Sequence, residues 1–176
     1  MADKEALRQL QARLADRLQA ARAQPRAASW LAVECAGRGL LLPLADAGEI
    51  FAMAPLAKVA HAKPWFLGVA NLRGGLHGVV DLAAFLGFER AERGRDEARL
   101  VALNAALDTN CALLVDRLAG LRGAEQLGPD DDDGAPGAEP PPPFVGARLR
   151  DESGRRWQER RLSALARDEA FLTIIG

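Results

Sequence analysis

Residues 66–87 read FLGVANLRGGLHGVVDLAAFLG, and three signals in this stretch fix its local form. An apolar strand ending at Val69 runs into Asn71-Leu72-Arg73-Gly74-Gly75, where glycine permits positive φ and a close backbone approach. Val79 and Val80 belong to the next strand, and Asp81 stands where a carboxylate accepts an orphan N–H at a helix start, capping LAAFLGF. A turn this tight presents Arg73 from a rigid base. Gly68, Gly74 and Gly75 are read as the residues that shape it.

Outward from this hairpin the texture repeats. WLAVECA (30–36), GLLLPLA (39–45), LHGVVDL (76–82), RLVALNA (99–105) and CALLVD (111–116) each show apolar alternation or a short apolar run, separated by Gly, Asn and Asp. Many short strands at this spacing predict an antiparallel barrel or sandwich. Asp46, with Glu49 three residues on, reads as the capping box of a helical turn in DAGEIFAM, and Ser163 as the cap of ALARDEAFL. GARLRDESGRRWQERRL (146–162) predicts a hairpin about Ser153-Gly154. At the N-terminus Leu7, Leu10, Leu14, Leu18 and Ala21 recur at helical steps until Pro25, giving an amphipathic arm. ERAERGRDEA (89–98) and GPDDDDGAPGAEPPPP (128–143) read as exposed loops.

Length and charge narrow the classes. At 176 residues the chain makes one compact unit, large enough for a core without disulfides or metal. Its 23 Lys+Arg against 24 Asp+Glu argue against nucleic-acid binding, which needs clustered cations. Nearly all the cations are arginine, whose planar fork suits carboxylates. Cys35 and Cys111 sit singly in apolar runs and read as buried hydrophobes of a reducing compartment. No stretch is long and apolar enough for a membrane span, so a soluble, cytoplasmic protein is expected.

The sequence is poor in chemistry. His61 and His77 lack a partner ligand at metal spacing. With Gly134 placed sixth in a calcium loop, Pro129 falls first and Pro140 twelfth, where acids belong. There is no nucleophile elbow, P-loop or dinucleotide fingerprint. No enzyme activity, metal or cofactor is expected. A small enzyme using Asp81, Asp116 or His77 in an acidic cleft between lobes is the rival reading, marked by acids converging on an enclosed pocket. A generic SH3-like peptide-binding module is a third.

Gly68, Val69, Asn71, Leu72, Arg73 and Gly74, followed by Val79, Val80, Asp81 and Leu82, resemble the signature of the CheW-like family of chemotaxis coupling proteins. GLLLPLADAGEIFAM and CALLVDRLAGL are similar to two further elements of that family, and the likeness is best from Trp30 to Leu127. Gly75 and His77 stand where the family is commonly apolar. The N-terminal arm, the Asp/Pro loop and the FLTII tail look more like the PilI-type variant of type IV pilus (twitching motility) systems.

The resemblance implies two SH3-like five-stranded β-barrels sharing a core, with an N-terminal helix and short helical turns. It implies an arm at 1–26 and a CheW-like domain at 27–176, with lobes near 27–98 and 99–160 and a C-terminal helix and tail at 161–176. The function implied is a non-catalytic adaptor between the cytoplasmic tip of a chemoreceptor and the regulatory domain of a CheA-type histidine kinase, at membrane-associated receptor arrays. By position, Arg73 matches the arginine associated with receptor coupling and Glu49 the glutamate of a Glu-Ile element, with Asn71 and Leu72 beside them at the partner surface. An internal pair between Arg73 and Asp81 or another acid is the structural alternative.

Overall fold

A computed structural model describes residues 9, 11–16, 28–90, 96–132 and 139–176. The described chain forms strands β1 (Ser29–Cys35), β2 (Arg38–Pro43), β3 (Ala47–Phe51), β4 (Phe66–Leu72), β5 (Gly75–Asp81), β6 (Arg99–Leu103), β7 (Cys111–Val115), β8 (Arg117–Gly123), β9 (Leu127–Pro129), β10 (Val145–Asp151) and β11 (Arg156–Arg160). They make a six-stranded sheet in the order β8-β1-β2-β11-β10-β9 and a five-stranded sheet in the order β3-β6-β7-β5-β4. Pairing is antiparallel except for one parallel pair in each sheet, β2 with β11 and β5 with β7.

Each sheet curls until its ends meet. In the five-stranded sheet the chain beyond β3 returns to the far edge, where Ala57 and Val69 exchange hydrogen bonds of 2.8 and 2.9 Å. In the six-stranded sheet the outermost strands β8 and β9 are consecutive, joined by a single 3₁₀ turn at Ala124–Gln126. Counted as one bent strand, they leave five strands in that barrel too, as expected from the resemblance.

The runs LLL and CALLV are continuous because their strands are buried on both faces, where alternation gives no polar side. Successive residues serve different cores. Ala32, Leu41 and Trp157 fill the six-stranded barrel. Leu72, Val79, Leu100, Ala112 and Leu114 fill the other. Leu31, Val33, Leu40, Leu42, Val80, Val101, Leu113 and Val115 face the shared layer between them. Cys35 and Cys111 are free, buried in that layer, and burial pushes both thiols up to about 12.

Several expectations from spacing are corrected. The barrels do not divide at residue 98: the six-stranded sheet draws strands from 29–43, 117–129 and 145–160, and the other from 47–51, 66–81 and 99–115. Residues 47–51 form β3 and not a helix, because Ala47, Ile50 and Phe51 pair with Leu103, Val101 and Leu100 of β6. Asp46 still caps a helix, but a distant one: its carboxylate accepts the Ser163 N–H at 3.2 Å. Ser163 itself lies inside the helix Leu162–Leu165, and Asp168 caps the next, Glu169–Leu172, through the Phe171 N–H at 3.0 Å. The C-terminal tail is then tied down by a bridge between Ala62 and Ile175. Of the N-terminal arm, residues 9 and 11–16 are helical and exposed. Leu7, Leu10, Leu18, Ala21 and Pro25 lie outside the described residues, as do residues 91–95 of the 89–98 loop and 133–138 of the 128–143 loop.

The β10–β11 hairpin forms as expected, and Asp151 organises it. One carboxylate oxygen accepts from the Ser153 hydroxyl at 2.6 Å, the Ser153 N–H at 2.9 Å and the Arg155 N–H at 3.0 Å; the other accepts the Trp157 indole N–H at 2.9 Å. The bonds from Ser153 and Trp157 hold its pKa down at about 2, against the ordinary 3.8. A depressed carboxylate pKa stabilises the fold above the ordinary value, and this contribution disappears as pH falls through the folded one. Asp151→Asn is therefore expected to flatten the loss of stability between pH 3.8 and about 2, measured as urea midpoints across that range. A slope equal to that of the unmodified chain would refute the assignment.

Candidate functional site

The β4–β5 hairpin closes through two residues, Arg73 at φ 48° and Gly74 at φ 81°, with Leu72 paired to Gly75. Positive φ at both positions is the type I′ geometry that matches strand twist. Asn71 braces the turn by accepting the Gly74 N–H at 2.9 Å. An L residue with a side chain is strained there by roughly 1–2 kcal/mol. Ala36-Gly37 makes the same kind of turn between β1 and β2, so the backbone alone does not mark a site. What distinguishes Arg73 is its setting.

Its guanidinium bonds Glu49 of β3 at 2.5 Å, with the Arg73 side chain 77% exposed and that of Glu49 42% exposed. The two candidate residues, 24 apart in the chain, thus meet at one rim of the five-stranded barrel. The acid that holds Arg73 is Glu49 and not Asp81. An exposed pair of this kind contributes about 0–1 kcal/mol, too little to offset a strained turn, so its main effect is to orient the guanidinium. Nearby, Phe51 and His77 lie 6.4 Å apart between ring centroids.

Other expected site residues divide. Asn71 is exposed and shares the outer face with its cross-strand partner Leu76. Leu72 is 4% exposed and packs inside the barrel, so it is a core residue and not a contact. Gly74 shapes the turn. Gly75 lacks positive φ and opens β5, where a Cβ would lie 3.2 Å from the His77 ring. Gly68 acts away from the turn: it has φ 137°, and its missing Cβ lets the Ala57 backbone approach. Leu76, 66% exposed, and Ile50, 39% exposed, were not expected at this surface. Counting register back from the two-residue turn would have placed Leu76 outward.

Asp81 caps Leu82–Phe85 through the Ala84 N–H at 3.2 Å, as expected. It also takes a two-pronged bond from Arg90 at 2.6 and 2.9 Å, and Arg90 reaches Asp116 at 2.8 Å. Asp116 in turn accepts the Ala36 N–H at 2.7 Å. Burial opposes the charge of Arg90, but Asp81 and Asp116 outweigh it and raise the guanidinium pKa. The rival reading required acids converging on a pocket. These two converge on a guanidinium that pairs with both, neither lines the clefts of about 640 and 440 Å³, and His77 lies near Phe51. Among the described residues no cluster of three or more His, Cys, Asp or Glu is placed to hold a metal. No described helix is long and apolar enough to cross a membrane.

Residues 29–169, which span the two curled sheets, their shared layer and the Asn-Leu-Arg-Gly turn, match the family model described as "CheW-like domain". The chain belongs to the CheW-like family. This CheW-like chain is 33% identical over 86 residues to Protein PilI of Pseudomonas aeruginosa, an alignment covering 49% of the chain and 47% of that relative. The match therefore spans about half the length of the curated relative. The crystal structure of the scaffolding protein TtCheW from Thermoanaerobacter tengcongensis superposes with a TM-score of 0.61 at 18% identity, covering 76% of this chain and 88% of that one. At that identity the likeness concerns the fold.

Proposed function

We propose that this CheW-like chain is a non-catalytic adaptor that couples the cytoplasmic tip of a chemoreceptor to the regulatory domain of a CheA-type histidine kinase, in a type IV pilus chemosensory array. Family membership and the similarity to a PilI protein support this reading. The observation that carries it is the exposed Arg73, held on a strained two-residue turn, oriented by Glu49, with exposed Leu76 and Ile50 on the same barrel. A guanidinium beside apolar side chains on a rigid base is the composition of an interface anchor. Coupling further requires that the bridge bind the kinase-on and kinase-off arrangements unequally, since equal binding shifts no population.

The test is capture of a purified receptor tip and, separately, of the kinase regulatory domain by the full chain. Arg73→Glu is expected to weaken receptor capture by about tenfold or more while leaving the thermal melt in place, because the side chain is exposed. Normal receptor capture by this variant would remove Arg73 from the interface, and failure of the unmodified chain to capture either partner would overturn the adaptor reading.

A further inference from the structure

A second surface, on the six-stranded barrel, has no part in the reading above. The cleft of about 640 Å³ between the β1–β2 turn, β10 and β11 is lined by Arg38, Arg148, Arg155, Arg156 and Arg160, with Asp130 the one carboxylate on its wall among the described residues. In a chain of net charge −1 this is a strong local concentration of positive charge, and it attracts anions. Three of the five are already engaged, Arg148 by donating to the Asp132 carbonyl oxygen at 3.2 Å. Arg155 bonds Glu34 at 2.6 Å, and Arg156 bonds Asp132 at 2.8 Å and Asp130 at 3.4 Å. Arg38, Arg148 and Arg160 have no carboxylate partner among the described residues.

Arg160 is the clearest sign of an unmet need. Its Nε is buried without a hydrogen-bond acceptor, an arrangement that is unfavourable until an acceptor arrives. Burial and the neighbouring charge of Arg38 both lower its pKa. The Arg38 guanidinium carbon lies 4.3 Å from the Phe88 ring centroid and that of Arg155 4.6 Å from the Trp157 centroid. A ring face attracts a cation but supplies no hydrogen-bond acceptor equal to a carboxylate, so the guanidinium N–H groups still need one.

The chain itself shows which acceptor suits this wall. Asp130 and Asp132, alternate residues of the stretch after β9, are held by Arg150 and Arg156. Alternate residues of an extended segment repeat at roughly 7 Å, and a second such segment would bring carboxylates to the arginines that lack them. We propose that this cleft binds an acidic, extended peptide segment of a partner protein, independently of the Arg73 surface.

The test is fluorescence anisotropy of a labelled peptide of alternating Asp and Ser, titrated with the full chain, beside its Asn-Ser counterpart. Saturable binding of the acidic peptide alone is expected, weakening between about 50 and 300 mM salt. It should fall by about tenfold in the double variant Arg38→Gln, Arg160→Gln, and also in Arg148→Gln, an exposed position that spares the fold. Arg167→Gln, outside the cleft, should bind as the unmodified chain does. The proposal fails if no saturable binding occurs, if the cleft variants bind normally, or if Arg167→Gln loses as much. It also fails if micromolar inorganic pyrophosphate displaces the peptide, which would assign the cleft to phosphates.

Discussion

Asp81→Ala is expected to lower the unfolding free energy by about 3–5 kcal/mol, the usual cost of removing one partner of a buried, hydrogen-bonded ion pair. The Asp81 side chain is 7% exposed and that of Arg90 21%, so water replaces the lost carboxylate poorly. Two roles end together: the cap on Leu82–Phe85 and the clamp on Arg90. Asp81→Asn keeps a capping oxygen and should recover about 1 kcal/mol. Arg90→Met in the Asp81→Ala background should cost less than Arg90→Met alone, because one of the two carboxylates that Arg90 holds is already gone and only Asp116 is left to lose. Against a total of about 5–15 kcal/mol for a domain, Asp81→Ala should bring unfolding close to physiological temperature. Urea denaturation checks this, and a loss below about 1 kcal/mol would mean that the pair behaves as a surface pair.

Gly68→Ala is expected to destabilise the chain by about 2–5 kcal/mol, combining backbone strain at positive φ with overpacking. A Cβ at Gly68 would lie 2.4 Å from the Ala57 carbonyl oxygen and 3.0 Å from its carbon. Both are backbone atoms, so no rotamer change relieves the clash. The Ala57 segment must withdraw, and the two hydrogen bonds that close the five-stranded barrel go with it. Gly74→Ala is the natural control. It also has positive φ but nothing within 4 Å, so only the strain of roughly 1–2 kcal/mol remains. Hydrogen exchange at the Ala57 and Val69 amides should accelerate in Gly68→Ala and not in Gly74→Ala. Equal effects of the two would mean that the clash is absorbed elsewhere.

Much of the site's local chemistry was legible. Arg-Gly at the centre of a hairpin, an Asp before Leu-Ala-Ala-Phe and free cysteines in apolar runs are each decided by groups a few residues apart. Leu72 was misread for a physical reason: it adjoins Arg73, and a strand sends neighbouring side chains to opposite faces. The distant partners of these groups could not be read in the same way. Glu49 for Arg73, Arg90 for Asp81 and Asp116, and Ser163 for Asp46 depend on how the chain returns.

The sequence by itself determined that this protein is built of short apolar strands separated by Gly, Asn and Asp, that its two cysteines are buried in apolar runs, and that Arg73 stands on a tight, rigid hairpin. Local backbone sterics and the burial of apolar surface act through near neighbours, so spacing alone expresses them. Only the tertiary structure decided that strands from three separated stretches share each barrel, that residues 47–51 are a strand, and that five arginines gather around one cleft. Alternation specifies which face of a strand is buried but not which strand lies beside it. That choice is made by the cooperative packing of the three apolar clusters, in two of which residues more than a hundred positions apart contribute together.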